Sequence, residues 1–193
     1  MGWIKDKYLK IRWLLRGKTS IVKMIGGYKR SDGVFLSRTR MGNTTFIDHP
    51  QKLYIEDNVY IGHYNYLEAS QGMSIHEGVQ ITNFCNITTH SSHISIRLYG
   101  NHYSEFAEHK GYLKGSVEIG SYTFVGPHCT IMPGTRIGKG CIVQAHSFVK
   151  GVFPDFSIIG GQPAVVIGDT KEIDRKYLSE DPQLNSFYSE WAD

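Results

Sequence analysis

The feature that most restricts how this chain can fold is a repeat of six residues. From residue 119 onward, consecutive blocks read Ile119-Gly-Ser-Tyr-Thr-Phe, Val125-Gly-Pro-His-Cys-Thr, Ile131-Met-Pro-Gly-Thr-Arg, Ile137-Gly-Lys-Gly-Cys-Ile, Val143-Gln-Ala-His-Ser-Phe and Val149-Lys-Gly-Val-Phe-Pro. Every block opens on Ile or Val, and the fifth position of the first five is small: Thr123, Cys129, Thr135, Cys141 and Ser147. An upstream set opening on Ile55, Ile61, Leu67, Ile75, Ile81 and Ile87 follows the same template, with Met73-Ser74 inserted between its two triplets. Six residues are too few for a helix pair or a β-meander, so each block supplies one short strand and one turn. Aliphatic residues six apart then stack into ladders along an all-β solenoid.

Composition narrows the function classes. All three cysteines, Cys85, Cys129 and Cys141, fall on the small fifth position, which makes them packing residues rather than nucleophiles. Their odd number and the lack of a C-x-x-C pair argue against a disulfide framework or structural zinc, and so for a reducing compartment. At 193 residues the chain suits one domain, and no apolar run approaches the roughly 18 residues of a membrane span; it is expected to be neither secreted nor transmembrane. The net charge of +3 is uneven. Residues 1–30 hold nine Lys and Arg against the single acid Asp6, while residues 31–193 hold 12 basic and 17 acidic residues. The main body therefore carries no electrostatic footprint for nucleic acid.

The register breaks once. Block 87–92 should lead directly to another, yet the next clear block opens at Ile119. Residues from about 93 to 118 are expected to be extruded as a long loop, carrying His93, Arg97, Tyr99, His102, Tyr103, Glu105, Glu108, His109 and Lys110. His90 and His93 sit at its entrance. An imidazole, with a reference pKa of about 6.5, can accept a proton from a hydroxyl near neutral pH, so either is a candidate general base.

The repeat, together with the histidine-bearing loop entry, resembles the hexapeptide-repeat acyltransferases, in their sugar O-acetyltransferase branch, over about residues 55–167. The resemblance implies a left-handed parallel β-helix with three blocks per triangular coil. Its coils would be 55–72, 75–92, 119–136 and 137–154, with a degenerate first coil in 34–54. It divides the chain into a basic amphipathic N-terminal helical segment (1–30), the catalytic β-helix (31–167) and a C-terminal helical tail (168–193).

The resemblance also assigns site residues. The general base is His90 or His93, with His90 favoured, whereas His63, His76, His128 and His146 at turn positions are structural. Asn65, Glu68 and Asn83, from preceding coils, would line the acceptor site together with Arg97 and Tyr99 of the loop. The co-substrate is acetyl-CoA, lying between neighbouring subunits of a homotrimer, with Phe124, Gly126, Ala145 and Lys150 as its contacts and no metal. Three residues depart from the family pattern. Lys150-Gly151 shifts the expected cation by one position, Pro127 lacks an N–H, so that a backbone oxyanion donor must come from Gly126 or His128, and Val165 stands where Lys or Arg often follows Gly-x-Pro-Ala. Phosphate contacts would then fall to Lys150 or Lys139.

Ile4, Tyr8, Ile11 and Leu15, spaced 4, 3 and 4 apart, lie on one helical face among basic residues. Such a helix either caps the solenoid or lies on an anionic membrane through residues 1–18. The resulting expectation is a cytoplasmic acetyl-CoA-dependent O-acetyltransferase of surface polysaccharide or lipopolysaccharide biosynthesis, which transfers directly to a sugar, sugar-nucleotide or lipid-linked oligosaccharide. The alternatives are N-acetylation of an amino sugar or antibiotic, a γ-type carbonic anhydrase whose three histidines would bind zinc between subunits, and a catalytically dead scaffold.

Overall fold

A computed structural model describes residues 21–193 and, of the residues before them, Lys7 and Ile11. The expected helix over residues 1–18 lies outside the described residues. The repeat folds into a parallel β-helix with three faces. The second face runs Phe46–Asp48, Tyr66–Glu68, Asn86–Thr88, Thr130–Ile131, Phe148–Val149, and the third runs Leu53–Ile55, Met73–Ile75, Val117–Ile119, Arg136–Ile137, Val152–Phe153. The first face holds eight strands: Met24–Lys29, Phe35–Gly42, Tyr60–Ile61, Gln80–Ile81, Phe124–Val125, Ile142–Val143, Ser157–Gly161 and Ala164–Asp169.

Alternation along each strand turns one residue inward, and the inward residues stack in register. Met41, Ile61, Ile81, Val125, Val143 and Ile159 form one ladder, and Ile47, Leu67, Ile87, Ile131 and Val149 a second. Ile55, Ile75, Ile119, Ile137 and Phe153 form the third. The small fifth residues do more than leave room, because their side chains donate to corner carbonyls: Thr123 Oγ1 to Gly138 O at 2.8 Å, Cys129 Sγ to Gln144 O at 3.1 Å, Cys141 Sγ to Pro154 O at 3.2 Å. Burial pushes the Cys141 thiol pKa up, consistent with a packing role.

Antiparallel pairs close both open edges, Met24–Lys29 on Phe35–Gly42 at one end and Ser157–Gly161 on Ala164–Asp169 at the other. Two helices follow, Thr170–Glu180 and Leu184–Ala192. The second brings Trp191 onto Tyr122 and Phe156, with ring centroids 4.6 and 5.8 Å apart. Lys139 Nζ donates to the carbonyls of Trp191, Ala192 and Asp193 at 3.1, 3.0 and 2.9 Å, so this cation is engaged by the C-terminal segment and not free for phosphate.

The corner between the second and third faces is where the coils differ. From Ile131 to Ile137 it takes six residues, but Ile47 to Ile55 and Leu67 to Ile75 each take eight. Met73-Ser74 is therefore not an insertion in the structure. Both residues are in a third-face strand, and the added length is accommodated at the corner around Ala69–Gly72. On the next coil the chain leaves this corner after Ser91 and returns at Leu113. His90–Ser91 pairs antiparallel with Leu113–Lys114, and between them lie a short helix, Ser95–Tyr99, and a 3-10 turn, Gly100–Glu105. The coil resumes with Val117–Ile119, already a third-face strand, so the excursion ends earlier than residue 118.

Candidate functional site

The widened corner concentrates polar chemistry. Glu68 closes the second-face strand Tyr66–Glu68, and its carboxylate points into the corner, only 1% exposed. Its Oε1 accepts the Ser70 N–H at 2.7 Å, and its Oε2 accepts the N–H and the hydroxyl of Thr89, each at 2.9 Å. Burial alone would raise the Glu68 pKa, but these donors outweigh it and hold it down at about 2. The same Oε2 stands 2.8 Å from Nδ1 of His90, whose side chain is 34% exposed. Ser70 Oγ lies 3.1 Å from that nitrogen. Because an ionised carboxylate only accepts, Nδ1 carries the hydrogen and Nε2 is left as the basic nitrogen.

In an antiparallel ribbon, residues directly opposite each other, and those two along, share a face. His90 is opposite Lys114, and Tyr112 is two residues before Lys114. The His90 and Tyr112 rings stack at 5.6 Å and 6° between planes, and Lys114 Nζ lies 5.5 Å from the Tyr112 ring centre. A cleft of about 540 Å³ opens beside them, lined by Gln71, Tyr103, Ala107, Glu108, His109, Tyr112 and Lys114. His109 stacks on Tyr103 at 3.8 Å and is hydrogen-bonded through Nε2 to the Tyr103 carbonyl at 2.6 Å. The cleft volume suits a sugar-sized ligand.

Of the residues picked from the sequence, only His90 and Glu68 come together here, and Glu68 stands behind His90 rather than in an acceptor wall. His93 is exposed, its Nδ1 2.7 Å from Ser91 Oγ. Asn65 is buried at the opposite end of the second face, with Nδ2 donating to Thr82 O and Oδ1 accepting from Cys85 N–H, both at 2.7 Å. Asn83 braces that same corner by accepting the His63 N–H at 2.7 Å. Both asparagines are thus spent on turn geometry. Tyr99 props the excursion against Tyr103, Phe106 and His109 and accepts the Lys110 N–H; it and the exposed Arg97 are not among the cleft-lining residues.

The residues picked for the co-substrate lie elsewhere. Phe124 projects from the first face and Ala145 lies on the corner between first and second faces, both exposed; Lys150 is on the His90 edge, beyond the strand Phe148–Val149. Gly126 is buried, and a Cβ there would come within 2.6 Å of the Ala145 nitrogen. Its glycine is required by coil stacking. The N–H groups of Gly126 and His128 are already bonded to Val143 O and Asn83 O at 2.8 and 3.1 Å, so neither is a spare oxyanion donor. Ser70, Gln71, Tyr112 and Lys114 were missed by sequence reasoning. The readable clue was the pair Tyr112-x-Lys114, whose spacing of two puts both side chains on one face of any strand closing the loop.

Within one chain, the described residues bring ligand atoms of Asp48, His49 and Glu68 within 4.8 Å of one another.

Comparison with known proteins agrees with this architecture. Residues 116–151 match the family model described as bacterial transferase hexapeptide (six repeats). The chain is 30% identical over 120 residues to a probable acetyltransferase of Mycobacterium tuberculosis, a match covering 62% of this chain and 38% of that protein. It is 29% identical over 117 residues to the putative lipopolysaccharide biosynthesis O-acetyl transferase WbbJ of Escherichia coli K12, covering 60% of this chain and 59% of that protein. The chain thus spans less than two thirds of the length of these relatives. A crystal structure of a maltose O-acetyltransferase from Clostridium difficile superposes with a TM-score of 0.61 at 19% identity, over 86% of this chain and 87% of that one. The fold is that of the left-handed β-helices, and the chain resembles the hexapeptide-repeat acyltransferases. Its likeness runs to O-acetyltransferases and, among solved structures, also to an N-acyltransferase of Bacillus cereus with a TM-score of 0.58 at 19% identity, over 75% of this chain and 88% of that one.

Proposed function

We propose that this protein is an acyltransferase that moves the acetyl group of acetyl-CoA directly to a sugar hydroxyl, with His90 as the general base. The observation that carries the reading is the contact of His90 Nδ1 with the buried Glu68 carboxylate, which fixes the ring and its tautomer and leaves Nε2 to accept a proton. The acceptor oxygen loses its proton to Nε2 as it bonds to the thioester carbonyl carbon. The C–S bond then breaks, and the proton passes from His90 to the departing thiolate. Glu68 remains ionised and stabilises the imidazolium between these steps, a role suited to a carboxyl held at about 2.

Phe124 and Ala145 offer exposed surface for the pantetheine, and Lys150 an exposed cation for a phosphate. Phe124 and Ala145 lie away from the His90 corner, whereas Lys150 is on it, which favours a homotrimer with each site shared between neighbours. Likeness to WbbJ supports a role in lipopolysaccharide or other surface polysaccharide synthesis. Among the described residues no helix is long and apolar enough to cross a membrane, and residues 1–18 are the segment proposed for contact with its surface.

Thiol release from acetyl-CoA tests the reading with wild-type, His90→Ala and His93→Ala proteins against sugars, sugar nucleotides and lipid-linked oligosaccharides. Sugar-dependent release that falls roughly 10²–10⁴-fold in His90→Ala, and only a few-fold in His93→Ala, is expected of a general base at position 90. Unchanged release in His90→Ala, or no release with any acceptor, would overturn it.

A further inference from the structure

We infer that the cleft beside His90 selects a sugar that carries an anionic group, a carboxylate or a phosphate, and that Lys114 is the residue that reads it. The inference rests on the acyl-transfer reading and names the acceptor class of the same site. Lys114 emerges from the same ribbon face as His90, directly opposite it, so whatever Lys114 holds lies beside the base. Its side chain is exposed, lines the cleft, and has no carboxylate within ion-pair distance among the described residues; its Nζ lies 5.5 Å from the centre of the Tyr112 ring. The carboxylate that could have neutralised it, Glu68, is sealed beneath His90 and committed to Ser70, Thr89 and His90.

The remaining lining residues give the cleft a polarity. Gln71 follows Ser70, which itself touches His90 Nδ1, and its amide donates only a 3.4 Å bond to Ser70 Oγ. Lys114 and Gln71 thus put donors on the coil side, next to the base. Glu108, the one acid of the lining, belongs to the excursion and neighbours His109, which is stacked on Tyr103. An acceptor whose hydroxyl meets His90 would present its charged substituent to Lys114 and Gln71, an apolar ring face to Tyr112 or Tyr103, and another hydroxyl to Glu108. A neutral sugar would leave the lysine without a counter-charge in a partly enclosed cleft. Lys114 is a specificity residue in this scheme, since proton transfer is left to His90.

The test compares matched sugars, glucose with glucuronate and with glucose 6-phosphate, and galactose with galacturonate, in acetyl-CoA thiol release and in binding by calorimetry. Wild-type protein is expected to favour at least one anionic member over its neutral partner by roughly 10- to 100-fold in kcat/KM, the scale of a charge-assisted hydrogen bond. The preference should sit mainly in KM, weaken with added salt, vanish in Lys114→Gln and return in Lys114→Arg. The carboxylate and phosphate arms tell which anion is read. A neutral preference in the wild type, or an anionic preference unchanged in Lys114→Gln, overturns the inference. If no sugar elicits thiol release, the acyl-transfer reading has failed. Calorimetry on the same pairs then decides Lys114 alone, supporting it if anion-selective binding is lost in Lys114→Gln and overturning it if no such selectivity exists.

Discussion

Glu68 shows how a charge is kept inside a solenoid. Two backbone N–H groups, a threonine hydroxyl and the His90 ring surround its two oxygens, so ionisation is favoured despite burial. A carboxyl with a folded pKa of about 2 against an ordinary 4.5 binds protons less readily when folded. Its contribution is therefore fully present above about pH 4.5 and is lost as the pH falls toward 2. The shift corresponds to on the order of 3 kcal/mol. Urea unfolding followed from pH 6 to pH 3 should show stability falling below about pH 4.5, and the fall should flatten in Glu68→Gln. That variant should also lose on the order of 1–3 kcal/mol at neutral pH, because its amide N–H₂ would meet donors. In turnover it should lower kcat more than it raises KM, since the ring it orients touches the acceptor only through the proton it removes. A Glu68→Gln enzyme with wild-type kcat would mean that His90 needs no orienting carboxylate.

Corners, more than strands, distinguish one coil from another. At the corner between the first and second faces, Tyr64, Phe84, His128 and His146 all have left-handed backbones, with φ of 59°, 61°, 60° and 60°. Left-handed backbone is disfavoured for side-chain-bearing residues, and here it stacks four rings into a column with centroids 5.2, 4.9 and 4.8 Å apart. Phe84→Ala keeps the strain and removes the stack, so it should cost about 1–2 kcal/mol. Phe84→Gly removes both, and its melting temperature should lie above that of Phe84→Ala. Gly126→Ala should destabilise by about 1–3 kcal/mol, because the new methyl meets Ala145 backbone, which cannot swing aside. Differential scanning calorimetry reads all three variants. The hexads announced every ladder residue from Ile55 to Val149, because an inward aliphatic every six residues is a local property of the chain. The sequence did not show where the coil takes up extra residues. Met73 and Ser74 read as an insertion, but the apolar Met73 completes a buried row with Leu53 and Val117, and the slack moved to Ala69–Gly72. His90 could be picked out by its place at the break in register. Glu68 drew notice for being one coil away, but its partner became visible only once the 20-residue step between coils put the two side chains into one corner. Lys114 and Tyr112 depended on the ribbon that closes the excursion, a pairing between residues more than twenty apart that no periodicity reports.

At the scale of the whole molecule, the His90–Glu68 pair and the pantetheine surface proposed at Phe124 and Ala145 are on different sides of the coil. His90 occupies the corner between the second and third faces, while Phe124 is on the first face and Ala145 on the corner that precedes the second. A β-helix is too stiff to bring two of its own faces together, since each coil is hydrogen-bonded to its neighbours over most of its length. If both sets of residues serve one reaction, they must come from two chains, and a closed ring of three, each presenting its His90 edge to the next chain's first face, gives three equivalent shared sites. The exposed rings of Phe46, Tyr64, Tyr66, Phe84, Phe124 and Phe148 supply apolar surface for such contacts. Complementation tests the arrangement. His90→Ala and Ala145→Trp proteins should each be inactive alone, the first for want of a base and the second because the indole blocks the co-substrate surface. When the two are mixed in equal amounts, unfolded and refolded together, a site is intact only where an Ala145→Trp chain supplies His90 and a His90→Ala chain supplies the facing Ala145. Random assembly of a heterologous ring makes about one quarter of sites intact, so activity should recover to about that fraction of wild type. Sites contained within single chains would recover nothing, because every chain in the mixture carries one lesion.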